Sequence, residues 1–284
     1  MNRMLFIFML AISFGLASQI PKDYASKDSL RILSWNVFLR PKILKDQQLK
    51  RVRHIAFTIK KLDADMVLLQ EVFHKRAREI LIDSLKHLYP YNARNNRKSV
   101  FGYSSGLITF SKQKIDKSTS LYFSKSSGSD CLAKKGGLLV DIQTGKQHIS
   151  VLNTHLQAGS KPKKQRVRMY QVEEISKLCM NRNQLMVFAG DFNIRFESNF
   201  FLRLKQKLHV TNKNPILKSA IKHTANFSDQ ELFPVQGLPV RIDHIMIKSS
   251  KEDIHLNYLE IKEPRYNDKR LSDHNPIIGV IQLN

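Results

Sequence analysis

Apolar residues along this chain fall into short runs, and most runs stop at a small cluster of polar residues. Residues 30–35 end at Asn36, 66–69 at Gln70 and Glu71, and 149–152 at Asn153, Thr154 and His155. Residues 185–189 end at Gly190, Asp191, Phe192 and Asn193; 240–247 carry Asp243, and 277–283 follow Ser272, Asp273 and His274. Residues 105–110 and 136–142 form two further runs. Short stretches rich in Val, Ile, Leu and Phe with turn residues at their edges read as buried β-strands. A helical spacing appears between some of them: Leu49, Val52, Ile55, Ile59 and Leu62; Leu81, Leu85 and Leu88, stopped by Pro90; Met169, Val172, Ile175 and Cys179; and Phe201, Leu204 and Leu208. Strands outnumber helices, and many consecutive strands leave no room for a helix between them. That argues against a doubly wound parallel sheet and predicts an α/β architecture of two packed mixed β-sheets with outer helices.

The N-terminus departs from this pattern. Arg3 precedes an apolar run over residues 4–16, and Gly15 and Ala17 place small residues at positions −3 and −1 of a cut after Ala17. This is the layout of a secretory signal peptide over residues 1–18, and it is shorter than the ~20 residues a membrane-crossing helix needs. The expectation is a secreted protein whose residues 19–284 form one domain, with an uncleaved membrane anchor as the alternative. No internal repeat, low-complexity tract or linker divides that stretch, and a monomer is expected. Two cysteines, Cys131 and Cys179, cannot make a disulfide framework, though one bridge is open to them. Lys and Arg outnumber acids 47 to 24, for a formal charge of +23. Such a field draws in polyanions, whether nucleic acid or anionic lipid surfaces, without choosing among them.

Placement of the polar residues changes the picture from fold to chemistry. Asn36, Glu71, His155, Asp191, Asn193, Asp243, Asp273 and His274 nearly all stand at a strand end or just past it. If those ends lie together, one rim gathers four carboxylates, two amides and two imidazoles, a costly arrangement unless it binds something charged. Oxygen ligands without a cysteine cluster suit a hard cation such as Mg²⁺, with Mn²⁺ as a substitute. Glu71 and Asn36, with Asp273 close by, are the candidate metal ligands. A phosphodiester needs neutralised phosphoryl oxygens, a positioned water and help for a poor alkoxide leaving group. Imidazoles supply a base and a phosphate donor at neutral pH.

Six segments in order carry a resemblance over residues 30–283: Leu33-Ser34-Trp35-Asn36-Val37, Leu69-Gln70-Glu71-Val72, Asn153-Thr154-His155-Leu156, Gly190-Asp191-Phe192-Asn193, Arg241-Ile242-Asp243-His244 and Ser272-Asp273-His274-Asn275-Pro276. Together they resemble the endonuclease/exonuclease/phosphatase superfamily. The resemblance implies a four-layer α/β/β/α sandwich. It implies Glu71 with Asn36 as the metal site, Asp243 orienting His274, His155 contacting the scissile phosphate, and Asp191 and Asn193 near the attacking water. It leaves His274 or Asp191 as the base, and His274 backed by Asp243 is preferred. Thr154-His155-Leu156-Gln157-Ala158, and Asp130 five residues before Lys135-Gly136, are similar to neutral sphingomyelinases, where the lysine reaches the substrate phosphate and the aspartate positions its loop.

That likeness implies a Mg²⁺-dependent phosphodiesterase acting on the sphingomyelin headgroup at a phospholipid membrane surface, with anionic lipid docking through the basic surface. The stretch between Asp243 and Asp273 is short and lacks a Trp-Phe tip, which puts insertion by an aromatic hairpin in doubt. A DNase-like secreted endonuclease, or another phospholipid or phosphoinositide phosphoesterase, is the alternative, and nucleic acid is then the partner. The basic run Lys161, Lys163, Lys164, Arg166 and Arg168 could track a phosphate backbone, but a solvated helix face is the plainer reading. His244 should point to the far side of its strand from Asp243 and be structural. Trp35 should be core.

Overall fold

A computed structural model describes residues 28–283 except 45, 98, 100, 101, 146, 212–214 and 228–236. The expected signal peptide, residues 1–18, lies outside the described residues. The apolar runs form two mixed sheets. The larger joins β3 (Tyr91–Arg94), β4 (Ile108–Ser111), β2 (Met66–Val72), β1 (Ser29–Leu39), β14 (Ile277–Gln282), β11 (His255–Ile261) and β9 (Ile216–Leu217), in that order. The smaller joins β10 (Asp243–Lys248), β8 (Leu185–Asp191), β7 (Gln147–His155), β6 (Gly136–Thr144) and β5 (Ile115–Tyr122). A parallel pair lies at the centre of each sheet, β1 with β2 and β7 with β8, flanked by antiparallel neighbours, and the larger sheet adds a second parallel pair at its edge, β11 with β9.

Period-two alternation sorts the side chains into layers. On one face Leu30, Ile32, Met66 and Leu68 of the large sheet meet Val140, Ile149, Val151, Val187, Ala189 and Ile245 of the small one. The opposite face of the large sheet, through Leu33, Trp35, Val37, Val67 and Leu69, packs on α1 (Gln48–Leu62) and α2 (Lys75–Leu85). That of the small sheet, through Leu152, Met186 and Phe188, packs on α3 (Pro162–Cys179) and α4 (Asn199–Lys207). The result is the expected four-layer α/β/β/α sandwich. A small hairpin, β12 (Arg265–Tyr266) with β13 (Lys269–Arg270), stands before β14. No described helix is long and apolar enough to cross a membrane.

The same alternation positions the polar strand ends. Asn36 continues the inter-sheet face of Ile32 and Ser34, His155 that of Val151 and Asn153, Asp191 that of Val187 and Ala189, and Asp243 that of Ile245. The core between the sheets therefore turns polar at one end. Glu71 has the opposite parity to Leu68 and Gln70, but its φ of 58° takes it out of the β region. Below this end Gln70 and Asn153 tie the sheets together. Gln70 Nε2 donates to Asn153 Oδ1 at 2.8 Å, and Asn153 Nδ2 donates to the carbonyls of Leu69 and Ile108, each at 3.1 Å. Gly190 allows β7 and β8 to close here, since a Cβ at its φ of 142° would lie 2.0 Å from the Thr154 carbonyl oxygen.

Candidate active site

The inter-sheet mouth brings together Asn36, Glu71, His155, Asp191, Asp243 and His274. Asn36 Nδ2 bridges two carboxylates, 3.0 Å from Glu71 Oε1 and 3.1 Å from Asp191 Oδ2, while its Oδ1 accepts from the Phe38 amide at 3.2 Å. An amide donor thus stands between two acids where a cation is expected. Asp243 and Asp191 are paired across β10 and β8. Asp243 Oδ2 lies 2.8 Å from His274 Nδ1, which orients the ring and leaves Nε2 facing Asp191 Oδ2 at 3.8 Å. Trp35, fully buried as expected, donates from Nε1 to the His274 carbonyl at 2.9 Å.

On the opposite side Lys135 Nζ donates to Asp130 Oδ2 at 2.9 Å and to the Leu156 carbonyl at 3.0 Å, and lies 2.9 Å from His155 Nε2. An ammonium can only donate, so His155 Nε2 accepts and its proton sits on Nδ1. Asp130 Oδ2 also accepts from the Ala158 amide at 2.7 Å, so one carboxylate holds both the lysine and the loop after β7. Asn193, at φ 52°, accepts no part of the rim directly; it donates from Nδ2 to Leu156 O at 3.2 Å and from its amide to Asp191 Oδ1 at 2.9 Å. The sequence-derived candidates therefore converge, with Asp130 and Asn193 acting on neighbours rather than lining the centre.

Charge in this mouth is unbalanced. Burial, and then the charge of Asp273, push the Glu71 carboxyl up to about 7. Burial also raises Asp273. Burial opposes protonation of His274, yet Asp243, Asp191 and Asp273 together hold it well above the usual histidine range. His155 is driven the other way, down to about 3, by burial and by Lys135. Glu71 stays proton-hungry for want of counter-charge, Asp243 Oδ1 is buried with no hydrogen-bond partner, and the acidic donors are all oxygen. These residues fit a hard divalent cation. Among the described residues Asp191, Asp243 and His274 offer ligand atoms within 4.8 Å of one another, a possible metal-binding triad. The expected set differs: Glu71 and Asn36 touch, but Asp273 accepts from Ser272 Oγ at 3.2 Å and reaches Glu71 through its charge alone.

Several supporting residues carry no motif. Arg51 of α1 is buried and donates to the carbonyls of Asp46, Val37, Phe38 and Leu271, fastening the segments after β1 and before β14. Thr224 Oγ1 accepts from the amides of Ile242 and Asp243, each at 3.0 Å. Nothing in the sequence around either marks it out, since helix periodicity covers Arg51 and loop composition covers Thr224. Arg168, read as part of a solvated basic run, is instead buried and donates to the carbonyls of Gln157 and Gly159 at 2.8 and 2.6 Å. Cys131 and Cys179 are both free. His244 is structural, as expected: it lies among Phe192, Phe196 and Phe201, with Nε2 2.7 Å from the Ile194 carbonyl.

The chain is similar to several known proteins. The chain is 24% identical over 310 residues to Sphingomyelinase C 2 of Leptospira interrogans serogroup Icterohaemorrhagiae serovar Lai (strain 56601), covering 93% of this chain and 48% of that protein. It thus spans about half the length of that relative. With Sphingomyelinase C of Listeria ivanovii it shares 23% identity over 323 residues, covering 98% of this chain and 95% of that protein. A crystal structure of a beta toxin mutant from Staphylococcus aureus with bound magnesium ions superposes with a TM-score of 0.75 at 20% identity, covering 88% of this chain and 99% of that one. Residues 33–274, which hold all the mouth's acids and imidazoles, match the Endonuclease/Exonuclease/phosphatase family, and the chain belongs to that family.

Proposed function

We propose that this chain is a secreted, Mg²⁺-dependent phosphodiesterase that hydrolyses sphingomyelin to ceramide and phosphocholine. The observation that carries the reading is the pairing of a carboxylate, amide and imidazole mouth with a buried Lys135 held at its edge by Asp130. Sphingomyelinase C relatives support the substrate class. Export rests on the leader-like pattern of residues 1–18.

Glu71 and Asn36 would hold the cation, which when bound supplies charge neutralisation to the phosphoryl oxygens. Lys135, its three donors taken by Asp130, His155 and the Leu156 carbonyl, adds a fixed positive charge beside the mouth that favours a phosphate there. Asp243 engages Nδ1 of His274, so that Nε2 is the atom that returns or takes up a proton beside Asp191. His155 stays neutral beside the ammonium, with Nε2 turned toward Lys135, Asp191 and Glu71 in the mouth.

The test offers sphingomyelin liposomes and plasmid DNA side by side to leader-free protein, with Mg²⁺ and separately with chelator. Phosphocholine release that needs Mg²⁺, without nicking, is the expected result. Nicking alone would transfer the protein to the nucleases.

A further inference from the structure

Beside the catalytic mouth lies a second cavity, of about 460 Å³, which the proposed reaction does not use. It opens between the turn Lys42–Leu44, the segment Val72–Phe73 directly after Glu71, the start of α2 and the loop after β3. Lys42, Lys75, Arg78 and Arg94 line it, and no carboxylate does among the described residues. None of these four forms a salt bridge with a described acid; the neighbouring Glu79 is taken by Arg76 at 3.3 Å. Like charges gathered without an acid repel, and they persist where an anion completes the set.

Two further observations point the same way. Arg78 donates from Nη1 to the Val72 carbonyl at 3.3 Å, but its Nε is buried with no hydrogen-bond partner. Burial, and then the charge of Arg94, hold its guanidinium below the ordinary value. Arg78 thus lines the cavity half-buried, with one guanidinium donor unpaired in an otherwise cationic wall, a setting that suits an oxyanion. The cavity also faces the first turn of α2, an eleven-residue helix with no acid in that turn. Helix N-termini favour acids there. This one carries Lys75, Arg76 and Arg78 instead, which repel the positive end of the dipole and become favourable once an anion is seated.

We propose that this cavity is a second anion site, separate from the catalytic mouth, that binds a phosphate group through Arg78 and Arg94 with Lys42 and Lys75 at its rim. The phosphate can be free in solution or carried by the headgroup of an anionic phospholipid neighbouring the substrate. Ile43, 78% exposed at the cavity's edge, suits the second source because it would meet the lipid interface.

Binding is measured by titrating the full chain with inorganic phosphate in a calorimeter. In parallel, the chain is co-sedimented with vesicles of phosphatidylcholine alone and with phosphatidylglycerol added. Arg78→Gln with Arg94→Gln, and the single exposed Lys75→Gln, are compared with wild type. Lys60→Gln with Lys61→Gln, at the far end of α1, removes equal charge elsewhere. Thermal melts confirm that each variant is folded. The expected result is a loss of about tenfold in affinity for phosphate or for phosphatidylglycerol vesicles in the Arg78/Arg94 variant. A smaller loss is expected in Lys75→Gln and little change in the Lys60/Lys61 control. Loss confined to inorganic phosphate assigns the site to a soluble anion, and loss on vesicles assigns it to lipid. Equal binding by wild type and all variants, or equal losses in the distant control, would overturn the site. Each readout is independent of turnover, so the outcome stands whichever substrate the catalytic mouth takes.

Discussion

At the scale of single residues, two buried histidines beside the same aspartate, one hydrogen-bonded to it and one its neighbour in β10, behave in opposite ways. His274 is held in its charged form by Asp243, Asp191 and Asp273, whereas His244, next to Asp243 but on the other face of β10, is driven down to about 3 by burial and by Arg241. The first lies in the mouth and the second in a packed aromatic cluster, and each gives a prediction. Asp243→Asn keeps the volume but removes the charge that orients the His274 ring. Turnover should fall by about 10²–10⁴-fold, with the melting temperature little changed, when phosphocholine release and thermal unfolding are measured together. Wild-type activity in that variant would remove the pair from the reaction. For His244 the sign follows from proton counting. The folded state keeps the ring neutral, while the unfolded state protonates below the ordinary value of 6.5. Stability from this residue is therefore present above 6.5 and is lost as pH falls toward 3. His244→Gln cannot titrate, so the stability gap between wild type and variant should narrow by about 2 kcal/mol between pH 7 and pH 5 in urea unfolding. A constant gap would mean the ring titrates alike in the folded and unfolded chains. His155 titrates alike in both proteins and cancels in the difference.

At the scale of elements, the site depends on how closely β7 and β8 approach and on how firmly the two sheets are joined. Gly190→Ala would drive a methyl group into the Thr154 carbonyl, one residue from both His155 and Asp191. It should cost about 1–3 kcal/mol as overpacking, and should lower turnover even where the protein still folds. Asn153→Ala removes the amide that links β7 to β2 and β4, leaving the Leu69 and Ile108 carbonyls without that donor and Gln70 without one of its acceptors. A loss of about 2–4 kcal/mol in chemical denaturation is expected, since several buried polar groups lose a partner together. The central strands and all four helices were legible from periodicity because each buries a full face. β5, in contrast, is the edge of its sheet, and its residues Ile115–Tyr122 are mostly half-exposed or exposed, so no apolar run marks it. β3 is exposed along most of its length and leaves as faint a trace. The hairpin of β12 and β13 carries no apolar tip; its Tyr266 ring stacks on His54 with centroids 3.4 Å apart, folded back onto α1 rather than outward.

At the scale of the whole molecule, four carboxylates meet where two sheets and several loops end, and the fold alone supplies too little positive charge to balance them. A divalent cation should therefore stabilise the protein. Mg²⁺ should raise the melting temperature by several degrees, and Glu71→Gln should remove most of that shift. Because the Glu71 carboxyl sits near 7 without the ion, it must release a proton to take one up, so the stabilisation should be larger at pH 8 than at pH 6. A melting temperature indifferent to Mg²⁺ at both pH values would separate this mouth from metal chemistry. The amino-acid sequence by itself determined the layered architecture and the identity of Asn36, Glu71, His155, Asp191, Asp243 and His274. Strand ends are local features, and alternation dictates which face each residue joins. Only the tertiary structure decided how those residues share charge and which partners hold them. Arg51 clamps loops from opposite ends of the chain, Asp130 binds Lys135 and Ala158 at once, and Glu71 turns into the mouth through a backbone angle that strand parity does not contain. Contacts between residues far apart in the chain, and the desolvation they impose, exist only once the two sheets have closed on each other, so no local pattern encodes them.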